Sequence, residues 1–118
     1  MAASLHQPST LVMITNDGMG QAEPSLRHKL MRIYLTLLAE NDMLPGAIAF
    51  YTEGIRLVLA GSPVLEELRT LEEKGVRLLI CKTCIDHYGV ADKVRVGIVA
   101  GMTDIMAAQW KAGKIITL

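Results

Sequence analysis

The sequence predicts a single-domain α/β fold, with a mainly parallel sheet of about five strands flanked by helices, on three observations. Short apolar runs alternate along the chain with segments of helical periodicity, the arrangement that yields right-handed βαβ crossovers. The runs, such as Leu11-Val12-Met13-Ile14 and Leu78-Leu79-Ile80, are continuous, as in strands buried on both faces. The 118 residues suit one domain with one core, a size that buries roughly two-thirds of the unfolded surface.

Residues 1–9 are expected to form a loose lead-in to a domain spanning 1–118. The first strand, at 11–14, runs into Thr15-Asn16-Asp17-Gly18-Met19-Gly20, a polar loop punctuated by glycine. Pro24 opens a helix, where its missing N–H costs nothing. Leu26, Leu30, Ile33, Leu37 and Leu38 recur there at helical spacing, with Arg27, Lys29, Arg32 and Glu40 on other faces. Pro45-Gly46 breaks the chain before a second strand, Ala47-Ile48-Ala49-Phe50-Tyr51. Residues 55–59 fit a short strand or a helical turn equally well.

The next helix has Ser62 for its N-cap, Pro63 for its first position, Glu66 and Glu67 in its first turn and Lys74-Gly75 at its end. Val64, Leu65, Leu68 and Leu71 form its apolar stripe. A third strand at 76–80 leads directly into Cys81-Lys82-Thr83-Cys84-Ile85-Asp86-His87-Tyr88-Gly89. A fourth strand is predicted at 94–99, a helix over 104–112 capped by Thr103 and stopped by Gly113, and a closing strand at 115–118. Met106 and Trp110 share one face of that helix.

Composition narrows the function classes. Lys plus Arg and Asp plus Glu both number 12, so the net charge is zero. That balance offers no footprint for nucleic acid or for an anionic membrane. No apolar run approaches the ~20 residues of a spanning helix, and the first residues lack the pattern of an export signal. The cytoplasm is therefore expected. A neutral chain with 51% hydrophobic residues tends to hide surface by self-association, so a homo-oligomer is expected. The two cysteines are not expected to form a structural disulfide in a compartment that keeps thiols reduced.

In parallel sheets the ligand crevice lies beyond the carboxyl ends of the strands. Residues 16–20 and 81–88 both begin at such ends, so Asn16, Asp17 and Gly18 are expected to share one pocket with the cysteines, Asp86 and Tyr88. Cys81 stands where a strand stops and a short helix starts. Backbone N–H groups there favour a thiolate, the nucleophile of sulfur transfer and disulfide exchange, and Lys82 adds positive charge. Cys84, within one helical turn, is placed to attack a persulfide on Cys81 and leave a disulfide. The competing reading makes both thiols small core residues.

Other chemistries fit less well. Zinc on Cys81, Cys84 and His87 would need a fourth ligand from another subunit. A thioredoxin-like reading conflicts with proline placement, since Pro8, Pro24, Pro45 and Pro63 all precede Cys81. Gly18-Met19-Gly20 lacks the third glycine of a dinucleotide fingerprint and any Gly-Lys-Ser/Thr. No cofactor and no metal are expected.

The segment from Leu78 to Gly89 resembles the DsrE/DsrF-like sulfur-relay family, and within it the C-terminal domain of YedF-type proteins, which carry Cys-Gly-Thr-Cys-x-Asp-x-Tyr-Gly at this point. The similarity extends to Asn16-Asp17, Phe50-Tyr51 with Gly54, Gly61-Ser62-Pro63-Val64-Leu65-Glu66 and Leu71-Glu72-Glu73-Lys74-Gly75. The resemblance implies a YchN-like parallel-sheet fold, assembly into trimers or hexamers, and a link with selenium metabolism. It also implies a persulfide on Cys81, a second cysteine in Cys84, and counterparts of the family's Asp and Tyr in Asp86 and Tyr88. Lys82 replaces the usual Gly, and His87 a usually apolar residue. YedF-type proteins also begin with a domain resembling the sulfur carrier TusA, marked by Cys-Pro-x-Pro. Nothing here matches it, so a sulfur donor or TusA-like carrier is expected as a separate protein.

Overall fold

A computed structural model describes residues 7–118. Its five strands are β1 (Gln7–Ile14), β2 (Pro45–Phe50), β3 (Arg77–Cys81), β4 (Ile98–Ala100) and β5 (Lys114–Thr117). They form one parallel sheet in the order β4-β3-β2-β1-β5. The α-helices are α1 (Pro24–Glu40), α2 (Leu65–Glu73), α3 (Lys82–Tyr88) and α4 (Met102–Lys111), with 3-10 helices at Thr52–Val58 and Ala91–Lys93. The chain steps from β1 to β4 in one direction and then returns to the far side of β1 for β5. Right-handed crossovers therefore put α1 and α2 on one face and α4 on the other.

Strand alternation sorts the core accordingly. Val12, Ile14, Ile48, Phe50, Leu78 and Ile80 face α1 and α2, where Met31, Leu35, Leu38, Leu68 and Leu71 close over them. Leu11, Met13, Ala47, Ala49, Leu79 and Cys81 face α4 and meet Ile105. The strands end level: Ile14 pairs with Phe50 and Phe50 with Ile80. The segments that follow β1, β2 and β3 therefore leave the sheet side by side, which builds the candidate site.

Several expectations shift. The strand predicted from Leu11 begins at Gln7, taking in residues of the expected lead-in; the rest of that lead-in, 1–6, lies outside the described residues. The α1 stripe divides: Leu38 is buried beside Met31 and Leu35, whereas Leu26, Leu30, Ile33 and Leu37 are exposed. Ser62 does not cap α2; its hydroxyl accepts the Val64 N–H and makes a local turn before a helix that starts at Leu65. Residues 55–59 resolve as 3-10 helix through Val58. The predicted strand at 94–99 shortens to β4, because Val94 pairs instead with Leu59 in an isolated antiparallel bridge, in which Ala60 N–H donates to the Lys93 carbonyl and Arg95 N–H to that of Val58. Gly101, not Thr103, opens α4, its carbonyl accepting the Asp104 and Ile105 N–H groups. No helix among the described residues is long and apolar enough to cross a membrane.

Candidate functional site

Cys81 is the last residue of β3 and the N-cap of α3. Its Sγ accepts the Cys84 N–H at 3.4 Å, as an N-cap side chain does. The Cys84 Sγ lies 3.0 Å from it and donates its thiol proton. Both thiols are free, and 3.0 Å is well beyond the ~2.05 Å of a disulfide. Strand alternation turns Cys81 inward, where it is 1% exposed beside Leu79, Ala100 and Ile105. Cys84 lies above it, partly exposed.

The end of β2 supplies the next layer. Thr52 donates its N–H to Cys84 Sγ at 3.2 Å. It does so from a left-handed backbone, φ 51°, which costs a β-branched residue about 1–3 kcal/mol. Its hydroxyl sits 2.7 Å from the carbonyl oxygens of Thr15 and Tyr51, tying the ends of β1 and β2 together. Burial, then the hydrogen bond to Cys81, raises the Cys84 pKa above the ordinary thiol value. Both effects favour the neutral thiol at Cys84.

Glu53 and Arg56 extend the cluster. The Tyr88 hydroxyl donates to Glu53 Oε2 at 2.6 Å, Arg56 Nε to Glu53 Oε1 at 2.7 Å, and the Arg56 guanidinium lies 5.1 Å from the Tyr88 ring centre. The hydrogen bonds from Tyr88 and Arg56 lower the Glu53 pKa. The bond to Glu53 raises that of Tyr88. Sequence alone did not point to Thr52, Glu53 or Arg56; the spacing of Glu53 and Arg56, which makes them neighbours on a helix, was the available signal.

The other expected pocket residues disperse. Asn16 spans its own loop, its amide donating to the Gly20 carbonyl and its Oδ1 accepting the Asp17 N–H. Asp17 Oδ1 is 3.2 Å from His28 Nε2. With His28, Arg56, Ser62 and Pro63, Asp17 lines a depression of about 200 Å³ to which neither cysteine contributes. Gly18, at φ 125°, packs against α1 so closely that a Cβ would lie 2.5 Å from the Cβ of Arg27. Asp86 points outward and pairs with Lys82 at 2.6 Å. Only Tyr88 joins the cysteine cluster, through Glu53. Among the described residues no group of three or more His, Cys, Asp or Glu is placed to hold a metal ion.

Comparison with known proteins agrees with this architecture. The ychN protein of E. coli is 17% identical with a TM-score of 0.68, over 92% of this chain and 98% of that one. MTH1491 of Methanobacterium thermoautotrophicum, a protein of unknown function, is 16% identical with a TM-score of 0.66, over 92% and 97%. BT1422 of Bacteroides thetaiotaomicron, also of unknown function, is 14% identical with a TM-score of 0.62, over 93% and 95%. These likenesses establish the fold. No curated protein matches the chain. The model of the DsrE/DsrF-like family matches residues 9–118, nearly the whole domain, and the chain belongs to that family.

Proposed function

We propose that this protein relays sulfane sulfur as a persulfide on Cys81. The observation that carries the reading is the pair of free thiols 3.0 Å apart at the carboxyl end of a parallel strand. Family membership supports it.

Loading is an exchange without net oxidation. The Cys81 sulfur attacks the terminal sulfur of a donor persulfide, a new S–S bond forms, the old one breaks, and the donor leaves as a thiolate. Two releases are open to the product. An acceptor thiolate can take the terminal sulfur. Alternatively, Cys84 attacks the Cys81 sulfur and expels hydrosulfide, which carries off two electrons and leaves a Cys81–Cys84 disulfide for an external thiol to reduce. The donor is a protein persulfide, such as that of a desulfurase or a TusA-like carrier, and a cytoplasmic setting that keeps thiols reduced goes with this chemistry.

Incubation with a cysteine desulfurase and cysteine, followed by intact-mass spectrometry, tests the proposal. One added sulfur atom in the wild type, absent in Cys81→Ser, is the expected result. No gain with both thiols shown free would overturn it. The size of the gain also tells selenium from sulfur when a selenium donor is supplied.

One observation favours a second reading, an oligomeric binding module with structural cysteines: Cys81 is only 1% exposed. Alkylation of native protein at neutral pH separates the two. An activated carrier thiol reacts faster than free cysteine, a structural one hardly at all.

A further inference from the structure

We propose that Glu53 and Tyr88 are positioning residues: their hydrogen bond clasps α3 to the segment after β2 and keeps Cys84 closed over the buried Cys81. This clasp deepens the sulfur-relay reading and rests on it for its purpose, because a carrier sulfur must alternate between sheltered and accessible.

By itself α3 is weak. It has seven residues and buries one side chain, Ile85. A helix of two turns does not hold itself in water, since nucleation is costly and few bonds follow to repay it. Its C-terminus is closed by Gly89 in the left-handed region, with Val90 N–H returning to the Ile85 carbonyl. That closure shapes the helix but does not fix it to the sheet.

Two side-chain links do so on the β2 side. Thr52 N–H meets Cys84 Sγ near the first turn of α3, and Glu53 meets the Tyr88 hydroxyl at its last residue. Thr52 and Glu53 are consecutive, so both links pull on one short stretch of chain. A sulfur acceptor makes the first link weak. The second, at 2.6 Å to a carboxylate, is charge-assisted, and Arg56 holds that carboxylate from its other oxygen. Cys81 is buried, and the clasped element meets it through Cys84, whose Sγ lies 3.0 Å from the Cys81 Sγ. Releasing Tyr88 from Glu53 leaves α3 held on the β2 side by the weaker link, with Ile85 as its remaining anchor in the core, so that its end at Cys84 opens more often.

Iodoacetamide labelling of native protein, with Cys81 and Cys84 resolved by peptide mass, tests this without any sulfur donor. Tyr88→Phe and Glu53→Ala should each speed labelling of Cys81 by about fivefold or more, with a smaller effect on Cys84, which is already partly exposed. Glu53→Gln, which keeps an oxygen to accept the hydroxyl, should stay within about twofold of wild type. Arg69→Met, which breaks an ordinary surface ion pair on α2, should change neither rate. Equal Cys81 rates in all variants would overturn the clasp. So would parallel acceleration of both cysteines in step with a lowered melting temperature, since that is general loosening. If the labelling pattern appears but no variant takes up sulfur from the desulfurase, the clasp stands and the relay reading falls. If Cys81 loads with sulfur while the labelling rates stay unchanged, the relay reading stands and the clasp falls.

Discussion

Thr52, Gly54 and Cys84 each hold a conformation or a charge state that their neighbours impose. Gly54 lies so near β1 that a Cβ would sit 2.2 Å from the Ile14 carbonyl oxygen and 2.8 Å from its carbon. Backbone cannot yield as a flexible side chain would, so Gly54→Ala should cost about 3 kcal/mol in urea unfolding, and the displaced Thr52 should leave Cys84 more reactive. Cys84 itself links stability to pH. Burial and the bond to Cys81 raise its pKa, so the native state keeps this proton longer than the unfolded chain does. That contribution is fully present below the unfolded thiol pKa and is lost as pH rises through the folded value. Urea midpoints measured from about pH 7 to about pH 10 should fall in the wild type and fall less in Cys84→Ser.

At the scale of elements, α1 shows how packing chooses among apolar faces. Its sequence offers more leucine and isoleucine than the sheet can cover. Met31, Leu35 and Leu38 go in; Leu26, Leu30, Ile33 and Leu37, at helical spacing, stay out. Leu35→Ala should therefore cost about 2–4 kcal/mol through the cavity it leaves. Leu30→Ala should cost under about 1 kcal/mol in dilute protein. A reversed order in denaturant unfolding would mean that the exposed stripe is covered in solution. The opposite layer is thinner: α4 buries only Ile105 fully, against the small residues Ala47, Ala49, Cys81 and Ala100.

For the whole molecule, the strand order leaves one sheet face to a single helix, and the apolar surface there is broad. Trp110 is 86% exposed and Ile98 61%, with Met102 and Met106 also exposed. Monomeric soluble proteins rarely leave so many large apolar side chains in water, which supports the expected homo-oligomer. Sedimentation should give a mass above that of one chain. Trp110→Lys, which places a charge where another copy would sit, should move it toward the monomer at equal concentration. A wild-type chain that sediments as a monomer would remove this expectation.

The sequence by itself determined the class of fold and the place of the cysteines, because those signals are local. A buried strand announces itself by a continuous apolar run, and Cys81, one residue beyond such a run, could only fall at its carboxyl end. Tyr88 was equally legible as part of the motif. What its hydroxyl binds was not: Glu53 is 35 residues away, between the second strand and the segment 55–59 whose pattern fitted strand and helical turn alike. Asp17 was placed correctly after β1, yet its partner is His28 on α1, so it lines a different hollow. The choice of buried face on α1, the left-handed Thr52 and the cover over Cys81 were likewise decided only in three dimensions. Each depends on which chain segments the strand order brings together, and a pairing energy between distant residues leaves no periodicity in the sequence of either one.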